Sequence, residues 1–346
     1  MARTVVRGLR YLLWLFSLTA VALLGGFFWL GEQMSTPSAR TEPVILDVQP
    51  GEPLRGVLLD LERQGALPDA RLVELWARLA DQVPRVKVGR YLIAVDAAPR
   101  DILQQLDDGR VLLESLTVIE GTRFDELRSR IAAHPGLRQT LTGVDDAELM
   151  RRLGAPGVHP EGRFFPDTYR FAWGSADFEV LKLAYERMQR SLAEAWAMRS
   201  PELPLKTPDE ALILASIVEK ESALAEERPR VAGVFVQRLR LGMRLQSDPT
   251  VIYGLRERYD GDIRSRDLVT DTPYNSYTRK GLPPTPIALP GAQALRAATR
   301  PLETGELFFV ATGLPDGSHT FSRTYDDHRQ AVRVMLERQR ARRVPP

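Results

Sequence analysis

Apolar residues run from Tyr11 to Leu30 (YLLWLFSLTAVALLGGFFWL) without one charge, after which the chain breaks into short periodic stretches. A helix needs about 20 residues to cross a bilayer, so one transmembrane helix is expected over residues 11–31. Residues 32–43 (EQMSTPSARTEP) are polar, hold two prolines and show no period, which reads as a tether. Val44–Val48 alternates as a strand does. Pro50-Gly51 marks a turn, and Leu54–Gln64 repeats Leu and Val at helical spacing until Gly65. A second helix is expected over Pro68–Ala80, a strand over Gly89–Val95, and a helix over Ala98–Leu106 with Gly109 beyond its end.

Further along, Leu116–Ile119 reads as a strand ending at Glu120-Gly121, and Phe124–Ala133 as an amphipathic helix. A loop dense in aromatic and charged residues, Glu161–Tyr169, precedes a helix over Asp177–Ala195. The next helix has Thr207 as its cap and Pro208 in its first turn, and it carries Leu214–Ser222. After a helix over Val231–Leu241 comes a turn-rich segment, Gly242–Thr250, in which Pro249 holds Asp248 out of the helical region. Tyr274–Tyr277 and Gly281–Pro284 suit a rigid irregular loop, and Phe308–Ala311 and Thr320-Phe321 are strand-like. The order implies an α+β chain: a tail over 1–10, the span over 11–31, a linker over 32–43, a small α/β module over 44–112 and a larger α+β domain over 113–346.

Composition narrows the function without naming it. The 346 residues are 44% apolar and 27% charged, as in a globular protein. With 47 basic against 45 acidic residues and no basic block, nothing points to nucleic acid. Absence of Cys excludes a thiolate metal site, a disulfide framework and a Cys nucleophile, and four scattered His lack ligand spacing, so no metal or cofactor is expected. Arg3, Arg7 and Arg10 precede the span without an acid, which keeps the amino end cytoplasmic and sends the rest across the membrane. A cleaved signal peptide is the rival, but its apolar core is usually about 7 to 15 residues and no small-x-small site closes this stretch.

The densest chemistry lies in Leu214-Ala215-Ser216-Ile217-Val218-Glu219-Lys220-Glu221-Ser222. At about 100° per residue, Glu221 falls within the stripe of Leu214, Ile217 and Val218. Desolvation there would raise its pKa and fit it to donate a proton near neutral pH. The alternative is a helix end whose side chain has already reached water. The Glu161–Tyr169 loop either closes over the core or offers rings for sugars to stack on, with Asp167 and Tyr169 bonding hydroxyls. Similarly, His319 is a groove residue or a satisfied structural one.

Five motifs occur in order: EGRFFPDTYRF, VEKES, GMRLQSDPTVIYG, PYNSYTRKGLPPTPIALPG and FFVATGLPDGSHTFSRTYDDH. Together they resemble the YceG-like endolytic murein transglycosylases over essentially the whole chain. That resemblance implies an inner-membrane enzyme with a periplasmic domain, cutting MurNAc-GlcNAc β-1,4 bonds of nascent peptidoglycan to leave 1,6-anhydro-MurNAc ends and terminating strand elongation. Peptidoglycan strands and wall synthases would be its partners. In the Glu-Lys-Glu motif the second acid, Glu221, is then catalytic. Glu219 lies about 160° away around the helix and orients neighbours. Candidate substrate contacts are Glu219, Gln246, Ser247, Asp248, Tyr274, Asn275, Tyr277, Asp167 and Tyr169. A lytic enzyme needs one carboxyl, whereas Asp248 as a second would make a muramidase that uses water. A membrane-anchored glycan-binding scaffold is a further reading. Residues 44 to about 110 resemble a LysM-type glycan-binding module, with a structural spacer as the alternative. Thr285 after Pro284 and Arg329 after His328 depart from the family pattern, away from the acid.

Overall fold

The computed structural model describes residues 2–343; the side chains of residues 2–12, 257, 342 and 343 lie outside the description. The charges of Arg3, Arg7 and Arg10, and the orientation read from them, therefore fall outside the described residues. Two compact units are present: residues 1–114 with 170–175, and residues 115–169 with 176–346.

In the first unit, α1 (Ala2–Ser35) contains a 23-residue stretch, Leu13–Ser35, long and apolar enough to cross a membrane. Its end corrects the expected tether. Glu32–Ser35 continue the helix, because Leu30 and Met34 are drawn into the core of this unit. The chain then forms β1 (Val44–Val48), α2 (Leu54–Arg63), α3 (Ala70–Leu79), β2 (Gly89–Ile93) and α4 (Pro99–Asp108). The alternating pattern explains the ladder: β1 pairs antiparallel with β2, Leu46 opposite Tyr91, so Leu46, Val48, Tyr91 and Ile93 are buried while Ile45 and Leu92 face outward. Asp69 caps α3 by accepting from the Arg71 and Leu72 amides, and Gly109 ends α4 in the left-handed region at φ 68°.

Next along the chain come β3 (Leu113–Thr117), α5 (Phe124–Ala132), β4 (Leu137–Arg138), α6 (Asp146–Arg152), β5 (Thr168–Ala172), β6 (Ser175–Ala176) and α7 (Asp177–Ala197). Helices α8 (Pro208–Glu221), α9 (Arg228–Arg240), α10 (Asp248–Leu255), α11 (Ser265–Val269) and α12 (Ala292–Thr299) follow, then β7 (Phe308–Ala311), β8 (His319–Ser322) and α13 (Tyr325–Arg343). Strands pair two by two: β3 with β5, β4 with β6, and β7 antiparallel with β8.

Helix α8 is the axis of the second unit. Helices α7, α9, α10 and α12 all pack on it, and every residue from Ala211 to Glu219 is buried. The expected one-sided stripe is thus a fully wrapped cylinder, as a helix apolar around its circumference requires. Each large apolar side chain so buried contributes about 1.5–3 kcal/mol relative to exposure. Two glycines permit close approaches. A Cβ at Gly162 would stand 2.4 Å from Pro286 Cβ, and one at Gly233 would stand 2.1 Å from the Leu302 carbonyl oxygen.

Candidate active site

Thr207 caps α8 by accepting from the Glu210 amide at 3.2 Å, and the helix runs until Glu221, where Ser222 turns extended. Its last turn is held from several sides. Lys220 Nζ donates to the Gly121 carbonyl at 3.3 Å. Glu219 is buried, accepting from Arg228 Nη2 at 2.7 Å and from the Gly291 amide at 2.9 Å. Burial raises the Glu219 pKa, against the pull of the Gly291 amide and Arg228. Because the Gly291 amide opens α12, the partial positive end of that helix also faces this carboxylate. Arg228 Nε donates to the Ser222 carbonyl at 3.3 Å, so one guanidinium grips the chain on both sides of Glu221. Glu219 is thus a fastening for the acid two residues on.

Glu221 keeps an edge at the surface while protein surrounds its carboxyl. That burial pushes its pKa up to about 7; Asp248 adds to the rise, while Ser247 and Arg238 oppose it. No hydrogen bond of full geometry to another described residue occupies the carboxyl. Ser247 Oγ is fully buried and lacks a well-formed partner, yet lies close enough to favour the carboxylate.

The loop before α10 is strained where it meets this acid. Gln246 has φ 53°, uncommon for a residue with a Cβ, and Ser276 pins the turn. The Gln246 amide donates to the Ser276 carbonyl at 3.1 Å, the Ser247 amide to Ser276 Oγ at 2.9 Å, and Thr250 Oγ1 lies 2.7 Å from the same hydroxyl. Gln246 itself is exposed. Asp248 corrects the sequence expectation: it is the first residue of α10, with Pro249 in the first turn, where a missing amide proton leaves no helical bond unmade. Asp248 is exposed and accepts from Tyr277 Oη at 2.6 Å, and burial raises the Tyr277 pKa.

The other sequence candidates divide. Asn275 is buried, and its amide group donates to the carbonyls of Asp267, Leu268 and Thr270, which fastens the loop that carries Tyr277. Tyr274 crosses Tyr253 edge to face at 4.7 Å and bonds Thr285 at 2.9 Å; it borders a concavity of about 270 Å³ also lined by Ser276, Lys280, Leu282 and Pro284. Asp167 pairs with Arg187, and Tyr169 is a core residue bonded to the Phe165 carbonyl. These two are tied into the packing around the aromatic loop rather than to the turn around Glu221. His319 pairs with Glu227 at 2.7 Å.

Ser276, Arg228 and Arg238 have no periodic signature, because Ser276 meets Ser247 and Arg238 meets Leu307 far along the chain, and Arg228 meets Glu219 only across the break between α8 and α9. Glu161, inside the aromatic motif, is a second buried carboxyl whose pKa burial pushes up to about 7. Its oxygens are both engaged, by the Phe124 amide at 3.0 Å and Tyr253 Oη at 3.1 Å. Glu221 differs in having an open edge.

A carboxyl poised near neutrality, on a residue with an edge at the surface and with the Ser247 hydroxyl beside it, is suited to general acid–base chemistry on a leaving oxygen. The chain belongs to the YceG-like family, whose model matches residues 46–334. It is 26% identical to an endolytic murein transglycosylase of Bacillus subtilis over 89% of this chain and 90% of that one. A Streptococcus pneumoniae protein of the same name is 24% identical over 93% of this chain and 64% of its own length. A crystal structure of a yceG-like protein from Listeria monocytogenes aligns with TM-score 0.51 and 25% identity, covering 84% of this chain and 99% of that one.

Proposed function

We propose that this chain is a lytic transglycosylase that cuts within peptidoglycan strands, with Glu221 as its single acid and base. The observation that carries this reading is Glu221, a residue with one edge at the surface whose carboxyl burial tunes to about 7. Protonated Glu221 donates to the glycosidic oxygen as the C1–O bond breaks. The C6 hydroxyl oxygen of the same MurNAc then closes on C1, and its proton returns to the Glu221 carboxylate. No water is consumed, and the product ends in 1,6-anhydro-MurNAc. Ser247, Asp248 and Tyr277 border the acid and are the groups placed to meet an oxocarbenium-like sugar.

In the same reading, α1 anchors the chain in the inner membrane with its amino end cytoplasmic and the bulk periplasmic. The module over 44–112 is LysM-like and holds glycan. Cutting a nascent strand beside its synthase would end that strand's growth. Asp248, held by Tyr277, favours a second reading in which a water is activated and hydrolysis results.

Mass spectrometry of peptidoglycan digested by the full-length protein in detergent tests the proposal. Anhydro-ended fragments are expected, each lighter by one water than a hydrolytic fragment, and Glu221→Gln abolishes their release while the fold survives. Fragments with ordinary reducing ends would establish hydrolysis instead.

A further inference from the structure

Helix α9 carries four arginines, and three hold carboxylates: Arg228 with Glu219, Arg230 with Glu306, and Arg240 with Glu303. The fourth does not. Arg238 is 6% exposed, and no carboxylate among the described residues lies within ion-pair distance of it. Its guanidinium instead donates to the carbonyls of Leu245 at 2.6 Å, Leu307 at 2.7 Å and Arg244 at 3.4 Å, and to Gln246 Oε1 at 3.4 Å. The Phe308 ring lies 5.3 Å away. A buried cation without an anion is unfavourable unless neighbouring dipoles or charges compensate it.

Two of the carbonyls that Arg238 grips, those of Arg244 and Leu245, belong to the strained turn leading directly into Ser247, the hydroxyl beside Glu221; the third, of Leu307, ties that turn to the start of β7. Charges from three elements act on one another around Glu221: Arg238 on α9 favours its carboxylate, Asp248 on α10 disfavours it, and Glu221 in turn acts on Tyr277 in the loop after α11. Asp248 is already engaged by Tyr277, whose phenol keeps its proton, which leaves the Glu221 carboxylate as the negative group free to act on Arg238.

We propose that Arg238 is the counter-charge for Glu221 once that residue has given up its proton, and that the same guanidinium holds the 244–246 turn against it. This rests on Glu221 being the acid. Arg238 is then a positioning residue with an electrostatic duty. A neutral carboxyl feels a nearby cation weakly and a carboxylate feels it fully. The attraction therefore grows as the proton leaves, stabilising the transition state more than the resting enzyme. Burial and Asp248 keep the proton on beforehand; Arg238 makes its departure tolerable.

Initial rates of strand cleavage by the full-length protein in detergent, measured from about pH 5 to about pH 9, test this. The natural chain should lose activity as pH rises, with a midpoint near 7. Arg238→Gln should move that midpoint up by about one pH unit and lower kcat more than it changes KM. Arg238→Lys retains the charge but cannot span the carbonyls, so kcat falls and the midpoint stays close to the natural one. A midpoint unmoved in Arg238→Gln overturns the proposal.

Should that variant fail to fold, carbon-13 NMR of the amine introduced by Arg238→Lys decides the matter. Coupling is reciprocal, so adding Glu221→Gln should lower the titration of that amine by about one pH unit. Identical titration in both backgrounds overturns the proposal. Failure of the wider reading looks different, since Glu221→Gln would then keep its turnover.

Discussion

Replacing Glu221 by Gln should make the protein more stable, and only above a definable pH. A free carboxyl releases its proton at about 4.5, whereas Glu221 in the folded chain keeps it until about 7. Between those values the folded state binds more protons than the unfolded state, so the stability of the natural chain falls as pH rises through the window. Above about 7 the whole penalty is present; below 4.5 it is absent. At about 1.36 kcal/mol per tenfold change in proton concentration, the gap from 4.5 to 7 corresponds to roughly 3 kcal/mol, an upper figure because the residue keeps an edge at the surface. Glutamine has nearly the same shape and no charge. Urea unfolding of both full-length proteins in detergent, scored by pulse proteolysis so that fragments of the second unit are counted separately, gives the difference at each pH. Glu161 and Glu219 also titrate abnormally, but they are common to both proteins and cancel. The stability gap should open steadily from acid to neutral pH. A gap that stays constant across the window would mean that Glu221 ionises as a solvated acid, and the argument from desolvation would fail.

Asp248 raises the Glu221 pKa by like charge, so Asp248→Asn should shift the alkaline limb of the rate profile downward, opposite to Arg238→Gln. Arg228→Ala leaves Glu219 buried without its partner and should cost about 3–5 kcal/mol in urea unfolding of the second unit. Glu219→Gln, which keeps an acceptor for the Gly291 amide, should cost less in the same assay. Gly233→Ala drives a methyl into the Leu302 carbonyl and should destabilise that unit by about 1–3 kcal/mol, read as a lower urea midpoint.

Local signals in the chain were strong where neighbours in sequence are neighbours in space. Thr207-Pro208 marks the start of α8, Asp177 starts α7, and the alternation around Leu46 and Tyr91 makes a two-strand ladder. The motif holding Glu219 and Glu221 stands out for the same reason. Periodicity misled where tertiary packing overrode it. Nothing in a 3.6-residue pattern says that four helices close around α8 and bury Glu219 beside Ile217. The polar run after Leu30 conceals Met34, which is buried because α1 continues onto α3 and α4. Arg228 reaches back across a helix break to Glu219, and Arg238 joins a carbonyl of the turn just after α9 to that of Leu307 far along the chain, so neither role has a linear signature. A proline after Asp248 reads as a barrier to helix in the sequence, yet in the first turn of α10 Pro249 is an entry to one.

The unbroken course of α1 into the first unit has a practical side. Leu30 and Met34 are bricks of that unit's interior, so the apolar helix cannot be trimmed at the residue where hydropathy ends without leaving a hole. A water-soluble version beginning at Glu32 would lack Leu30 and carry a frayed stub at Met34, and its lower melting point would reflect the cut rather than the enzyme. The natural boundary for such a version lies one helical turn earlier, within what looks like lipid-facing sequence.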